Sequence, residues 1–442
     1  MKRWLAMSAA SLGRGIESGN IDPVTLTQTY LEAIDVHPFR DRIYTLVTPE
    51  RALAEASAAA DRAEHGQRKS ALDGVPVSWK DLFDTAGILT EGGSKLLKGR
   101  VPEADCEVLK TATALGLVCL GKTHLSELAF SGLGFNPSTA TSPCVNDHAA
   151  VSGGSSSGAA ASVAFGLAPL AIGSDTGGSV RIPAAWNDLV GLKTTSGRLS
   201  LLGVLPLCAR FDTVGPLCRS VEDAALGLAV LEGSGAVDLT NVTLKGRRFA
   251  VCDFSATKDV REAPKLAFEN ALGKLRKMGA TVDRISIPQV VSALDLSGLL
   301  FSPEAYGTWK DVIEANPDAM FEEILSRFRS GANVSGPDYV AAWQQLDQLR
   351  LGYYEITSGY DAVLLPSSPI LPPNIDRLTK DHDYYVTENI LALRNTRVGN
   401  LMGSCSLTLP TGFLSCGLMM LCPPMQEHNL LRLGAAVENA LV

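Results

Sequence analysis

The sequence predicts an α/β fold built on a single large mixed β-sheet core flanked by helices. Three observations carry this reading. Short apolar runs of strand character alternate with segments of helical spacing in the first half of the chain, and the alternation resumes after Gly233. Two stretches without any Asp, Glu, Lys or Arg, His148–Ser174 and Val398–Gln426, have the composition of buried core. Glycine, serine and proline interrupt both, so neither is a clean apolar span of the roughly 20 residues a membrane helix needs.

In chain order, "DPVTLTQTYLEAID" (22–35) has helical spacing behind Asp22–Pro23, a helix-start signal, and "RALAEASAAADRAE" (51–64) is an alanine-rich helix. "GVPVSWKD" (74–81) reads as a strand with the polar Lys80 at its end. Residues 104–133 read as helix, strand "LVCLGKT", helix, and 158–173 as helix then strand. Beyond Gly233, "RRFAVCDF" (247–254) and "ATVDRISIP" (280–288) are strands around the helix 261–279. Residues 300–360 are mostly helical and suit a lid or pocket wall. "DAVLLPSSPILPP" (361–373) is a strand running into a proline-rich loop, and "SLTLPTG" (406–412) and "GLMMLCPP" (417–424) are late strands returning to the sheet. No repeat and no long linker divides the chain, so residues 1–442 are expected to form one domain.

With 442 residues, 46% hydrophobic, and a formal charge of −8, the chain can bury a sizeable core and offers no basic footprint for nucleic acid. Its nine cysteines form no C-x-x-C pair and no Cys/His cluster of zinc spacing, which reads as reduced core thiols in a cytoplasmic protein without a metal. The start "MKRWLAMSAASLGRG" imitates a signal peptide, but its apolar part is short and broken by serines.

Several motifs are decoys. Gly116, Gly121, Lys122 and Thr123 fit the Walker A string, yet the residues between the glycines look like a strand rather than a phosphate-cradling loop. Ser255-Ala256-Thr257-Lys258 fits S-x-x-K without the elements that accompany an acylating pair, and reads as a surface turn. The six histidines are dispersed, and His124 and His148 look like polar loop residues, so a serine–histidine triad has no candidate.

What remains is "VSGGSSSGAAAS" (151–162) and "GSDTGGSVRIP" (173–183), in which small residues and serines precede predicted helices. Paired glycines before a serine suit a backbone whose N–H groups must approach a ligand. A serine nucleophile needs a base, and without a histidine a neutral lysine can serve. An ordinary lysine is under ~0.1% neutral at pH 7; burial can lower its pKa by about 3 units, at a cost on the order of 4 kcal/mol. Lys80 is the first position to examine, and the residues alone leave it open between a base and a strand-end lysine pointing to water.

Gly153-Gly154-Ser155-Ser156-Ser157-Gly158, the run Gly173–Ala185 and Gly191-Leu192-Lys193-Thr194 resemble the signature of the amidase signature family, the serine–cis-serine–lysine hydrolases. The resemblance covers nearly the whole chain. It is densest over about 72–232, thins over the variable pocket region 234–360, and returns in the segment 361–442. It implies the amidase signature fold, with Ser179 as nucleophile, Ser155 as bridging serine behind a cis Gly154–Ser155 peptide, and Lys80 as ultimate base. The spacings of 75 and 24 residues between these three are those of the family. The N–H groups of Thr176, Gly177, Gly178 and Ser179 would form the oxyanion hole, and Ala129 and Phe130 would contact substrate. Asp175 and Arg181 would hold the loop together, and Ser156 and Ser157 would cap the next helix or touch the relay.

The resemblance implies an amidase that cleaves a C–N bond through an acyl-enzyme without a cofactor. Its substrate would be a small apolar amide, anilide or carbamate, since only Arg394 and Arg397 bring positive charge near the late motifs. Tyr306, Trp309, Tyr339 and Trp343 would either line the pocket or only pack helices together. Two alternatives are a glutaminase subunit of a tRNA-dependent amidotransferase and an inactive homologue acting as a binding partner. Ile182, where those subunits have glutamine, and Phe211-Asp212-Thr213 look more like a stand-alone amidase. A homodimer would be in keeping with relatives.

Overall fold

The strands assemble into one mixed sheet. The structure, a computed structural model, describes residues 2–253 and 259–441; the S-x-x-K string at 255–258 lies outside the described residues. The strands are β1 (Tyr44–Val47), β2 (Pro76–Lys80), β3 (Val118–Thr123), β4 (Leu170–Asp175), β5 (Val190–Lys193), β6 (Thr213–Cys218), β7 (Arg248–Asp253), β8 (Thr281–Ser286), β9 (Ala362–Pro366), β10 (Cys405–Pro410) and β11 (Gly417–Cys422). They lie in the order β1-β3-β2-β4-β6-β5-β10-β11-β9-β7-β8. β2 runs parallel to β3 and β4, and β7 to β8 and β9, while the central strands pair antiparallel. The predicted fold class therefore holds.

Local chemistry explains the elements that were legible. Asp22 accepts a hydrogen bond from the Thr25 N–H at 2.7 Å, capping the helix Pro23–Asp35. β2, β3 and β4 are buried along their whole length, as strands covered on both faces must be. Helices pack on this layer, among them Ala9–Glu17, whose Ala9, Leu12 and Ile16 enter the core. Among the described residues, no helix is long and apolar enough to cross a membrane.

The structure departs from the sequence reading at identifiable places. No α-helix follows β3. Residues 124–133 form a loop with one 3-10 turn, in which Leu128 and Ala129 take φ values of 45° and 61°. The Ser126 hydroxyl donates to the Ser131 carbonyl and accepts from the Gly134 N–H, so side-chain bonding replaces helix bonding. The sequence reading does not anticipate strands β1, β5 and β6. β6 carries Gly215-Pro216, which reads as a turn, yet it pairs with β4 from Thr213 to Cys218. A Cβ on Gly215 would lie 1.8 Å from the Leu192 carbonyl oxygen, so only glycine lets β5 and β6 approach this closely.

One topological fact positions the site. Because β2, β3 and β4 are parallel neighbours, their carboxyl ends, Lys80, Thr123 and Asp175, emerge at the same edge of the sheet. In open α/β sheets that edge is where ligands bind.

Candidate active site

The register of β2 on β4 pairs Trp79 with Ile172, which brings Lys80 level with the Gly173–Ser174 end of β4. Lys80 is fully buried, and its Nζ donates to Ser155 Oγ and to Ser174 Oγ, each at 2.7 Å. It has no ion-pair partner among the described residues. Burial pushes its pKa down to about 7, against the pull of the Asp175 and Asp212 charges, which favour the ammonium form. A lysine with this pKa is substantially neutral at physiological pH.

Ser155 sits in the loop ahead of the helix Ser157–Ala164, and the Gly154–Ser155 peptide is cis. Its carbonyl accepts from the Ser126 N–H at 3.1 Å, and the neighbouring Ser156 N–H donates to the Ser179 carbonyl at 3.2 Å, so the two serine loops touch through their backbones. Ser156 does not cap the helix. Its hydroxyl donates to the Ser174 carbonyl at 3.1 Å and accepts from the Ser174 N–H at 3.3 Å, while the Ser157 hydroxyl donates to the His124 carbonyl.

The loop 176–180 is organised by Asp175. Burial by itself would raise this carboxyl, but the Arg181 guanidinium, bonded to it at 2.8 and 2.9 Å, holds it well below the usual carboxylate range. Asp175 also accepts from the Gly178 and Val180 N–H groups at 2.9 and 3.1 Å and from Asn400 Nδ2 at 3.0 Å. This corrects one of the four oxyanion donors expected from sequence: the Gly178 N–H is already spent on Asp175. The N–H groups of Thr176, Gly177 and Ser179 have no acceptor among the described residues.

Gly178 has another task. Its φ is +141°, and a Cβ there would lie 2.2 Å from Thr396 Oγ1. That hydroxyl donates to the Gly177 carbonyl at 2.7 Å, tying the loop to the helix His382–Leu401. From the other side, the Thr176 hydroxyl donates to Asp212, which also accepts from the Leu207 and Cys208 N–H groups.

A narrow cavity opens over Ser179. Ala129 and Phe130 line it, together with Thr176, Gly177 and Ser179. Phe301 and Arg327 come from the helical segment after residue 300 expected to supply a pocket wall, though sequence singles out neither; sequence reasoning missed Ser131, Leu207 and Leu393, and gave Arg397 no place in the pocket. The aromatic residues considered for the wall lie elsewhere. Trp309 donates to the Pro206 carbonyl, Tyr339 to Glu304 and Tyr306 to Glu314, and Trp343 stacks on Phe211, which in turn stacks on Phe301. Arg394 pairs with Asp259, whereas Arg327, on the helix Glu322–Arg329, joins Arg397 at the cavity. Of the two arginines expected near the site, Arg397 reaches the cavity and Arg394 does not, and Arg327 is the charge that sequence did not anticipate.

The decoys resolve plainly. Leu117–Leu120 lead into and form β3, and the buried Lys122 pairs with Asp81 at 3.0 Å and donates to Thr90 Oγ1 at 2.8 Å, so no phosphate loop exists there. His124 is buried, with its pKa pushed down to about 4, and His148 is an exposed ring packed edge-on to Phe39. All nine cysteines are buried.

The family model described as Amidase matches residues 25–431. The chain belongs to the amidase signature family. It is a hydrolase of C–N bonds, and other members of the family supply the comparison. A 2-amino-5-chloromuconic acid deaminase from Comamonas testosteroni is 34% identical over 88% of this chain and 86% of its own length. A glutamyl-tRNA(Gln) amidotransferase subunit from Anaeromyxobacter dehalogenans (strain 2CP-C) is 31% identical over 97% of this amidase and 95% of its own length. A crystal structure of an amidase superposes with a TM-score of 0.88 at 28% identity, covering 99% of this chain and all of the other.

Proposed function

We propose that the protein hydrolyses the C–N bond of a small amide, anilide or carbamate through an acyl-enzyme on Ser179, with Ser155 and Lys80 as the proton relay. The observation that carries this reading is the buried Lys80 amine, its pKa lowered to about 7, at 2.7 Å from Ser155 Oγ. With Lys80 neutral, the Ser155 hydroxyl gives its proton to Nζ and takes one from Ser179, whose Oγ attacks the substrate carbonyl. The N–H groups of Thr176, Gly177 and Ser179 receive the oxyanion; each such donor is typically worth about 10²–10³ in rate. The relay then returns the proton to the departing nitrogen, and water entering by the same route hydrolyses the acyl-enzyme. The nine scattered, buried cysteines, without a C-x-x-C pair, support a cytoplasmic setting.

Labelling with a fluorophosphonate tests the assignment. The wild type should carry one adduct, on Ser179, and Ser179→Ala should neither be labelled nor turn over any amide. An adduct on another serine, or a Ser179→Ala variant of near-normal activity, overturns the assignment. The amidotransferase subunits that align along nearly the whole chain favour a second reading, release of ammonia from glutamine. A panel of short aliphatic amides, aryl anilides, long-chain amides, aryl carbamates and glutamine decides between them, and a strong preference for glutamine selects the second.

A further inference from the structure

Arg327 and Arg397 line the cavity over Ser179 and also line a larger outer chamber that adjoins it. Their placement is close to the reacting loop. A Cβ on Gly177 would lie 3.9 Å from Arg397 Nε. The Arg327 guanidinium carbon stands 4.4 Å above the centre of the Phe130 ring, itself part of the wall. Among the described residues, neither guanidinium has a hydrogen bond or a salt bridge, unlike the buried Arg181, which is bonded to Asp175, Asn400 and the Thr396 carbonyl.

The carboxylates around the pocket do not neutralise this pair. Asp175 is engaged by Arg181, Asp212 by Thr176 and two backbone N–H groups, and Glu323 of the outer chamber by His382. Burial lowers the pKa of Arg327 to about 10 and that of Arg397 to about 9, with the Arg327 charge as the second cause in the latter. The Tyr385 hydroxyl, buried in the wall of the outer chamber, has no hydrogen-bond partner within bonding distance among the described residues. Two half-buried like charges without a counter-ion and an unpartnered hydroxyl at one cavity supply the charge and the donors that an anion would complement. A guanidinium fork is shaped for a carboxylate.

We propose that Arg327 and Arg397 bind a carboxylate of the substrate, so that the preferred substrates are small monoamides of dicarboxylic acids. This rests on the reading of Ser179 as the attacking group. The carboxylate on the arginines fixes one end of the acyl chain, and the amide carbonyl at the other end meets Ser179 and the free N–H groups of the loop.

The test compares glutaramate with pentanamide, which has the same chain length without the charge, and measures glutarate binding separately. The wild type should favour glutaramate by about 10–100-fold in kcat/KM, the range of one or two charge-assisted hydrogen bonds. Arg327→Met and Arg397→Met should each reduce that ratio about tenfold, chiefly through KM, with partial recovery in Arg397→Lys. Equal or better turnover of pentanamide by the wild type, or an unchanged ratio in both variants, overturns the proposal. If neither amide is cleaved, glutarate binding decides. A glutarate-induced rise in the melting temperature of the wild type, absent in the double variant Arg327→Met/Arg397→Met, upholds the carboxylate site even if the Ser179 reading has failed. No rise in the wild type overturns it.

Discussion

Lys80 Nζ lies 2.7 Å from Ser155 Oγ in a fully buried position, with hydroxyl partners and no carboxylate in ion-pair contact among the described residues. Paired with a carboxylate, this amine would hold its proton. Surrounded by hydroxyls and apolar strands, it gives the proton up near neutrality, and the predictions below start from that difference.

The neutral amine is the working form, so activity should rise with pH. We expect kcat/KM to fall about tenfold per pH unit on the acid side of an inflection near 7, the pKa set by burial of Lys80. Lys80→Ala should lose at least about 10³-fold at pH 7. A pH–rate profile that is flat between about pH 5.5 and 8.5 would contradict this account.

Burying Lys80 costs stability, and the cost depends on pH in a defined direction. The unfolded lysine keeps its proton up to about 10.5 and the folded one only to about 7. Between these values the unfolded state binds more protons, so stability rises with pH across that window. Lys80→Met removes the penalty and should stabilise the protein, by about 3 kcal/mol more at pH 6 than at pH 9. Urea denaturation at the two pH values measures the difference, and an equal gain at both would refute the buried, shifted amine.

Gly178→Ala should damage both fold and function. The added methyl meets Thr396 Oγ1 and the backbone holds a φ of +141° that alanine resists. We expect a loss of about 2–4 kcal/mol in stability and at least about 100-fold in kcat. Thr396→Ala added to Gly178→Ala removes the collision but not the backbone strain, and should recover only part of the stability.

Arg181→Met leaves the Asp175 carboxylate buried with no cation on it. Breaking a buried pair in this way typically costs about 3–5 kcal/mol. The same change loosens the loop that Asp175 bonds at Gly178 and Val180, so fluorophosphonate labelling of Ser179 should slow as well. Unaltered stability would mean that Asn400 and the backbone N–H groups alone hold the carboxylate.

Sequence by itself reached the α/β class and most strands of the sheet, and pointed to Lys80 and two serine-rich loops, within which the family resemblance singled out Ser155 and Ser179. Those features are local: strand periodicity, a helix cap and two small-residue loops are written over a few consecutive positions. Where local signals conflict with the fold, the reading failed, as at Gly215-Pro216 inside β6 and at the serine- and glycine-bonded loop after β3. Only the tertiary structure decided which N–H groups of the loop stay free, because Asp175 claims that of Gly178. It alone brought Ser174 to Lys80 through the register of β4 on β2, and Arg327 to Arg397 from two helices far apart in the chain. The character of the pocket wall follows from packing between distant segments, and no short-range pattern of residue types encodes which side chains that packing leaves facing the nucleophile.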